Sequence, residues 1–153
     1  MTVRPAGPED LDALLASVDG LFAEDGGVHD PHIDVRWPAR DGRAYYAGLL
    51  DDPACLLALA WSGDTVAGHL VGKLVEPDSI RLVRFAVLES MRVDPAYRDR
   101  GVGGQLVVAF FDWARSQEAV TASVTAFAAN DGAQRFYVRH GFAPQSITLR
   151  APV

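Results

Sequence analysis

Residues 89–106 read ESMRVDPAYRDRGVGGQL, and this stretch decides the fold. An alternating apolar run ends at Asp94-Pro95, arginines follow at 98 and 100, and glycines stand at 101, 103 and 104 before a helix-like segment that we place at 106–117. A glycine-rich turn between a strand and a helix brings backbone amides and the positive end of the helix dipole close to an anion. Arginine adds charge-assisted hydrogen bonds to phosphate oxygens. The stretch therefore predicts a loop that binds a phosphorylated ligand.

Three phosphate-binding patterns compete for this loop. A P-loop requires a lysine after its glycines, and none follows here. A dinucleotide-binding turn requires a third glycine where Leu106 stands, early in a βαβ unit. The third pattern, Arg/Gln-x-x-Gly-x-Gly/Ala, is matched by Arg98, Gly101 and Gly103, and it resembles the pyrophosphate loop of the GNAT family of N-acetyltransferases.

A second block, NDGAQRFYVRHGF at 130–142, is similar to another segment of that family and follows the glycine loop in the family's order. Asn130 is a suitable cap for a helix N-terminus. Ala133, Phe136 and Tyr137 are spaced to share one helix face, and Gly141 suits the left-handed residue that ends a helix. The resemblance extends in order over nearly the whole chain.

The resemblance implies an α/β fold: one domain over residues 1–153, with a single mixed, mostly antiparallel central sheet flanked by helices. It implies acetyl-CoA as cosubstrate and no metal. The acetyl carbonyl would meet a backbone N–H near Met91, and the pantetheine arm would pair with the strand near Val93. The cofactor-binding residues it implies are Met91, Arg92, Val93, Arg98, Asp99, Arg100, Gly101, Val102, Gly103, Gly104, Asn130, Ala133 and Tyr137.

Two side chains are candidates for the proton transfers of amine acetylation. The resemblance places the Tyr137 hydroxyl near the thiol sulfur, as the acid for the leaving thiolate. Glu89 is the candidate base, because an amine acceptor arrives protonated at neutral pH. Glu89 stands two residues before Met91, so strand alternation predicts that both side chains share a face. The predicted activity is acetyl transfer from acetyl-CoA to a primary amine by direct attack in a ternary complex.

The charge distribution suggests the acceptor. Residues 1–60 hold eleven acidic and four basic residues, and the family builds its acceptor site there. This favours a small cationic amine held by carboxylates of residues 19–41, with Asp30 and Asp34 as first choices and a Gly26-Gly27 helix break that lets the loop move. A peptide or protein amine, a cofactor-binding sensor without catalysis, and a merely solvated acidic face stay open as alternatives.

Composition narrows the class of protein. The 153 residues are 49% hydrophobic, which suits one soluble domain, and the net charge of −6 argues against nucleic acid as a partner. No apolar stretch reaches membrane-spanning length, and the N-terminus does not resemble a signal peptide. The single cysteine, Cys55, is expected to be a small buried hydrophobe. We therefore expect a cytoplasmic protein without membrane partners, and a homodimer is left open.

Hydrophobic periodicity predicts the order of the elements. Strands are expected at 2–4, 55–61, 65–75, 82–93, 121–127 and 146–149. Helices are expected from Pro8 to the Gly26-Gly27 break, and over 37–50, 106–117 and 131–140, with a loop at 28–36. His29 and His32, with Asp30 and Asp34, have a spacing that fits no common metal site.

Overall fold

A computed structural model describes all residues from 1 to 153. Five strands form one sheet in the order β1-β2-β3-β4-β5. Their bounds are Thr2–Pro5, Cys55–Ser62, Thr65–Val75, Phe85–Val93 and Thr121–Val124. The first three pairings are antiparallel, and β4 pairs with β5 in parallel. The predicted mixed, mostly antiparallel sheet is therefore confirmed.

Helices cover both faces of this sheet. Their bounds are Leu11–Leu21 for α1, Gly27–His29 for α2, Arg43–Leu50 for α3, Val102–Ser116 for α4 and Asp131–Arg139 for α5. One buried cluster packs α4 against the sheet around Leu70, Leu88 and Phe110. The other packs α1 and α3 against the opposite face around Leu14, Tyr46 and Val71. No helix combines the length and the hydrophobicity that a membrane crossing demands.

The strands β4 and β5 pair over a short distance and then separate. Phe85 to Leu88 face Thr121 to Val124, and β4 continues to Val93 without a partner on that side. A register shift opposite Val71 and Gly72 leaves Glu89 as an extra residue in β4, which is a β-bulge. The sheet therefore has an opening between residues 89–93 and residues 125–130.

The predicted helix break at Gly26-Gly27 is wrong. The chain stays helical past α1 through a π-helical turn at Phe22–Gly26 and then α2, and it becomes extended only at Asp30. A Cβ on Gly27 would lie 2.5 Å from Cγ1 of Val35. The glycine therefore serves the close approach of the following loop, which begins at Asp30 rather than at 28.

Other boundaries also differ from the prediction. The helix α4 begins at Val102, so Gly103 and Gly104 belong to it, while β4 begins at Phe85 and β5 ends at Val124. The predicted final strand at 146–149 is absent: Ile147 and Leu149 are 85% and 89% exposed and pair with no strand. Local alternation alone predicted that strand, but a strand also needs a partner edge.

Candidate active site

The unpaired edge of β4 forms one wall of the opening. The Asp94 amide donates to the carbonyl of Ala67 in β3. Because N–H groups alternate in direction along a strand, the amides of Met91 and Val93 point away from β3, toward the opening. Both side chains pack against the α4-side core. The structure thus places these two predicted cofactor-binding residues with their backbone groups available at the edge.

The glycine loop lies at the end of β4. Gly101 caps α4 in the left-handed conformation, with φ +78°, and Asp99 is also left-handed, with φ +58°. No backbone carbonyl accepts from the amides of residues 99–104. These N–H groups and the start of a fifteen-residue helix form the kind of concave donor set that binds phosphate. Arg100 is exposed beside the loop, and Val102 is buried in the core.

Two of the loop's glycines serve helix packing. A Cβ on Gly103 would lie 3.0 Å from Cε2 and Cζ of Phe136, and one on Gly104 would lie 3.1 Å from Nε2 of His140. Both glycines therefore let α5 approach α4 closely. A side chain at position 103 would therefore point at α5, and any contact of Gly103 with a phosphate would be made by its amide.

The two predicted arginines share a carboxylate. Arg92 lies 2.6 Å from one oxygen of Glu24, and Arg98 lies 2.6 Å from the other. Arg98 also donates from Nε to the Val93 carbonyl at 3.0 Å. The Arg92 side chain is 12% exposed and packs over Gly20 of α1. Its guanidinium therefore ties β4 to the helical segment and lies away from the opening, whereas Arg98 is half exposed at the loop.

Asn130 caps α5 as predicted. Its Oδ1 accepts from the Ala133 amide at 3.0 Å, and its Nδ2 donates to Asp25 at 2.8 Å. Asp25 also lies 3.3 Å from Nε2 of His29, whose ring packs 5.2 Å from that of Phe127. The turn after α1 therefore contacts both walls of the opening, through Glu24 on one side and Asp25 on the other. No sequence pattern pointed to these two contacts.

Tyr137 lies on the inward face of α5 with Ala133 and Phe136, as the spacing predicted. Its ring packs edge-on against Phe136 and Phe142, at 5.3 and 5.6 Å between centroids. The hydroxyl has no hydrogen-bond partner in the protein. Burial, with a smaller contribution from the Asp25 charge, raises the pKa of Tyr137 to about 12. The phenol therefore stays protonated and can donate one hydrogen bond.

Glu89 is held by two side chains. Its Oε1 accepts from the Tyr45 hydroxyl of α3 at 2.6 Å and lies 2.9 Å from Nζ of Lys73 in β3. Lys73 also hydrogen-bonds the Tyr45 hydroxyl. Because Glu89 is the bulged residue, it faces the α3 side while Met91 packs on the α4 side. The prediction that these two side chains share a face is wrong.

An aromatic cluster adjoins Glu89. Trp37 stacks on Phe22 at 5.5 Å and meets Tyr45 and Tyr46 edge-on. Lys73 Nζ lies 4.9 Å from the centroid of the Tyr45 ring. Burial raises the pKa of Tyr45, and the Glu89 hydrogen bond adds to this. The cluster offers ring faces and one carboxylate on the side of the sheet where α1 and α3 pack.

The first-choice acceptor carboxylates are already engaged. Asp30 is 7% exposed and binds Arg150 at 2.9 Å and the His32 amide at 3.0 Å. Asp34 binds Arg40 at 2.6 Å and the Arg36 amide. Both carboxylates are therefore paired within the protein, and their contact with an acceptor stays a prediction.

Two further sequence expectations concern cysteine and metals. Cys55 is partly buried, and burial raises the pKa of its thiol to about 11. No group of three or more histidine, cysteine or acidic side chains is arranged to hold a metal ion.

Comparison with known proteins supports one family. Residues 21–142 match the model of the Acetyltransferase (GNAT) family. An aminoglycoside 6'-N-acetyltransferase from Acinetobacter haemolyticus is similar at 19% identity and TM-score 0.80, over 100% of this chain and 98% of that chain. An aminoglycoside acetyltransferase from an uncultured soil metagenomic sample, in complex with sisomicin, is similar at 15% identity and TM-score 0.76, over 99% and 95%. A transcriptional regulator from Bacillus halodurans shares the fold at 22% identity and TM-score 0.77, over 99% of each chain. No curated protein sequence matches this chain.

Proposed function

This chain belongs to the GNAT family of acetyltransferases, and we propose that it transfers the acetyl group of acetyl-CoA to the primary amine of a small cationic molecule. The transfer is by direct attack in a ternary complex, within one domain over residues 1–153. One observation carries the proposal: the unpaired edge of β4 runs into the glycine loop and the open N-terminus of α4, and α5 carries the unpartnered hydroxyl of Tyr137.

The cofactor is bound by backbone groups in this proposal. The pyrophosphate lies against the amides of residues 100–104, with Arg98 and Arg100 adding charge. Arg98 must then exchange at least part of its contact with Glu24 for phosphate oxygens. The pantetheine amides pair with the β4 edge near Val93, and the Met91 amide donates to the acetyl carbonyl. Arg92 contributes its backbone only, because its guanidinium is engaged elsewhere.

The chemistry then needs a base and a donor to the leaving group. Glu89 takes the proton of the acceptor ammonium, directly or through water, and the free amine attacks the thioester carbon. The Met91 amide stabilises the oxyanion of the tetrahedral intermediate. Since a thiol has a pKa of about 8.5, full proton transfer from Tyr137 to the thiolate is uphill. Tyr137 therefore acts by donating a hydrogen bond to the developing thiolate.

Three observations support a cationic acceptor. The net charge is −6, which attracts cations at long range. Aromatic faces beside a carboxylate, as at Trp37, Tyr45 and Glu89, suit an ammonium group. Two proteins of similar fold are named as aminoglycoside acetyltransferases. Asp25, in the turn after α1, lies beside Tyr137 and Asn130, and it is the carboxylate of residues 19–41 that binds the acceptor in this proposal, in exchange for part of its contact with Asn130.

A thiol-release assay with a panel of amines tests this proposal. The panel contains an aminoglycoside such as sisomicin, a polyamine, a lysine peptide and a neutral amine. We expect release with the cationic small molecules and a KM that rises with salt, because the screening length is about 8 Å at physiological ionic strength. Binding of acetyl-CoA without release for any amine would favour the sensor alternative, and preference for the peptide would favour a protein acceptor.

A matched pair of variants locates the acceptor contact. Asp25→Asn should raise the KM for the amine and leave the Kd for acetyl-CoA unchanged. Asp34→Asn removes an equal charge that is tied to Arg40, and its KM should stay at the wild-type value. Equal effects of the two substitutions would contradict a specific role for Asp25.

A further inference from the structure

Lys73 is the chain's single lysine, and it stands in the strand β3 next to the proposed base. Its side chain is 32% exposed, and that of Glu89 is 33% exposed. Lys73 pairs in register with Val87 in β4, just before the bulge. The bulge turns Glu89 toward the α3 side, where Lys73 also points, and so brings the two charges together.

The two oxygens of Glu89 have different surroundings. Oε1 receives both the Tyr45 hydroxyl and the Lys73 ammonium, at 2.6 and 2.9 Å. No protein group donates to Oε2. Two donors on one oxygen fix the rotation of the carboxylate, because Tyr45 comes from a helix and Lys73 from a strand. The second oxygen is thereby left for a ligand.

We propose that Lys73 and Tyr45 are positioning residues that hold Oε1 of Glu89, so that Oε2 is the atom that receives the acceptor's proton. This rests on the proposed acetyl transfer. The proton leaves the ammonium nitrogen for Oε2, either directly or through one water, and Glu89 becomes a neutral carboxylic acid. The nitrogen lone pair forms the new C–N bond, the C–S bond breaks, and its electron pair leaves on the thiolate. The second nitrogen proton passes through water to that thiolate, so the products are a neutral amide and the CoA thiol, and Glu89 returns its proton to solvent.

The Lys73–Glu89 pair is the charged contact of this site. Lys73 Nζ lies 2.9 Å from Oε1 of Glu89, so a substitution that removes the ammonium takes a positive charge away from the carboxylate. The other titratable groups that face Glu89 are Tyr45 and Tyr46 of α3 and Cys55 of β2, and burial raises the pKa of all three. They therefore stay neutral around pH 6 to 8, and Lys73 remains as the charged neighbour.

The test combines a kinetic and a spectroscopic measurement on four variants. The substitutions are Lys73→Met, Lys73→Arg and Tyr45→Phe, with Arg115→Met as the control that removes a positive charge from an exposed pair on α4. The acidic limb of kcat/KM is recorded from pH 5 to 9. The carboxyl carbon of Glu89 is titrated by NMR in glutamate-labelled protein, with Glu89→Gln for assignment.

We expect Lys73→Met to move both readouts upward in pH, because the substitution removes a positive charge 2.9 Å from Oε1 of Glu89. Lys73→Arg should restore most of the wild-type position, and Arg115→Met should change neither. Tyr45→Phe should lower kcat with a smaller shift. An unmoved Glu89 titration in Lys73→Met would overturn the proposal.

The NMR titration needs no acceptor, so it separates failure of this proposal from failure of the proposed activity. A shifted carboxyl titration with no turnover on any amine would leave the pair intact and reject the acetyl transfer. Turnover with an unmoved titration and an unmoved acidic limb would reject the positioning role alone. Should Lys73→Met fail to fold, Tyr45→Phe and Lys73→Arg still carry the comparison.

Discussion

Acid stability should depend on one buried histidine. His69 in β3 is fully buried, with Nδ1 2.7 Å from the Ser17 hydroxyl. Burial, with a smaller contribution from the Arg92 charge, lowers the pKa of His69 to about 3 from its usual 6.5. Above pH 6.5 the imidazole is neutral in both the folded and the unfolded protein, so its titration does not change the free energy of unfolding. Below pH 6.5 the unfolded chain binds a proton that the folded chain refuses, so stability falls as pH falls.

The magnitude follows from proton linkage. Each pH unit below 6.5 costs about 1.4 kcal/mol of unfolding free energy until the folded pKa is reached, which is roughly 3 kcal/mol at pH 4.5. Urea unfolding at pH 7.5 and 4.5 measures this loss in the wild type and in His69→Gln. The carboxylates titrate equally in both proteins, so the variant should lose about 3 kcal/mol less. Equal losses would refute the reasoning.

A spectroscopic check does not depend on the stability of the variant. The chain has four histidines, and imidazole resonances can be followed by NMR as pH falls. The His69 signal should not titrate while the protein stays folded. A midpoint near 6.5 for that signal would show that the buried ring accepts a proton at little cost.

Three further substitutions test the site. Gly103→Ala places a methyl 3.0 Å from the Phe136 ring, and this overpacking should cost about 1–3 kcal/mol of stability, offset by about 1 kcal/mol of helix propensity. Kinetics and calorimetry should show that turnover falls more than acetyl-CoA affinity. A larger loss of affinity than of turnover would indicate that a side chain at position 103 meets the phosphate. Asp99→Gly removes the backbone strain of an aspartate in the left-handed conformation, so the melting temperature should rise, by about 1 kcal/mol of folding free energy. It also removes a negative charge from the glycine loop, so acetyl-CoA affinity should rise, and weaker binding would count against a phosphate site at this loop. Tyr137→Phe should lower kcat by about 10²-fold with an unchanged Kd, and full activity at every pH would remove Tyr137 from the mechanism.

The parts of the fold that local chemistry determines could be predicted. The hairpin β2–β3 begins and ends within one residue of its predicted bounds, because a Ser-Gly-Asp turn separates two apolar runs. Asn130 caps α5, and the inward face of that helix carries the predicted residues. The parts that depend on distant contacts could not. The sequence predicts a helix break at Gly27, because it does not show that Val35 packs closely against this glycine. The alternation at 146–149 predicts a strand, but it does not show whether a partner strand is available.

The site shows the same division. The glycine loop was recognisable, because it joins a strand to a helix within a few residues. The contact of Glu24 with Arg92 and Arg98 joins positions 68 and 74 residues apart, and no local pattern encodes it. The bulge that turns Glu89 away from Met91 depends on the register between β3 and β4. One signal was present in the sequence: the only lysine of the chain stands near the end of a mostly apolar strand.

The most direct test of the central claim follows the acetyl group itself. Acetyl-CoA labelled in the acetyl carbons is incubated with the protein and a cationic amine such as sisomicin, and the products are separated and weighed by mass spectrometry. We predict that the label appears on an amine nitrogen of the acceptor, with one free thiol formed per acetyl group transferred. Label found only in free acetate, or retained wholly on the cofactor with every amine tried, would contradict the claim that this protein is an N-acetyltransferase.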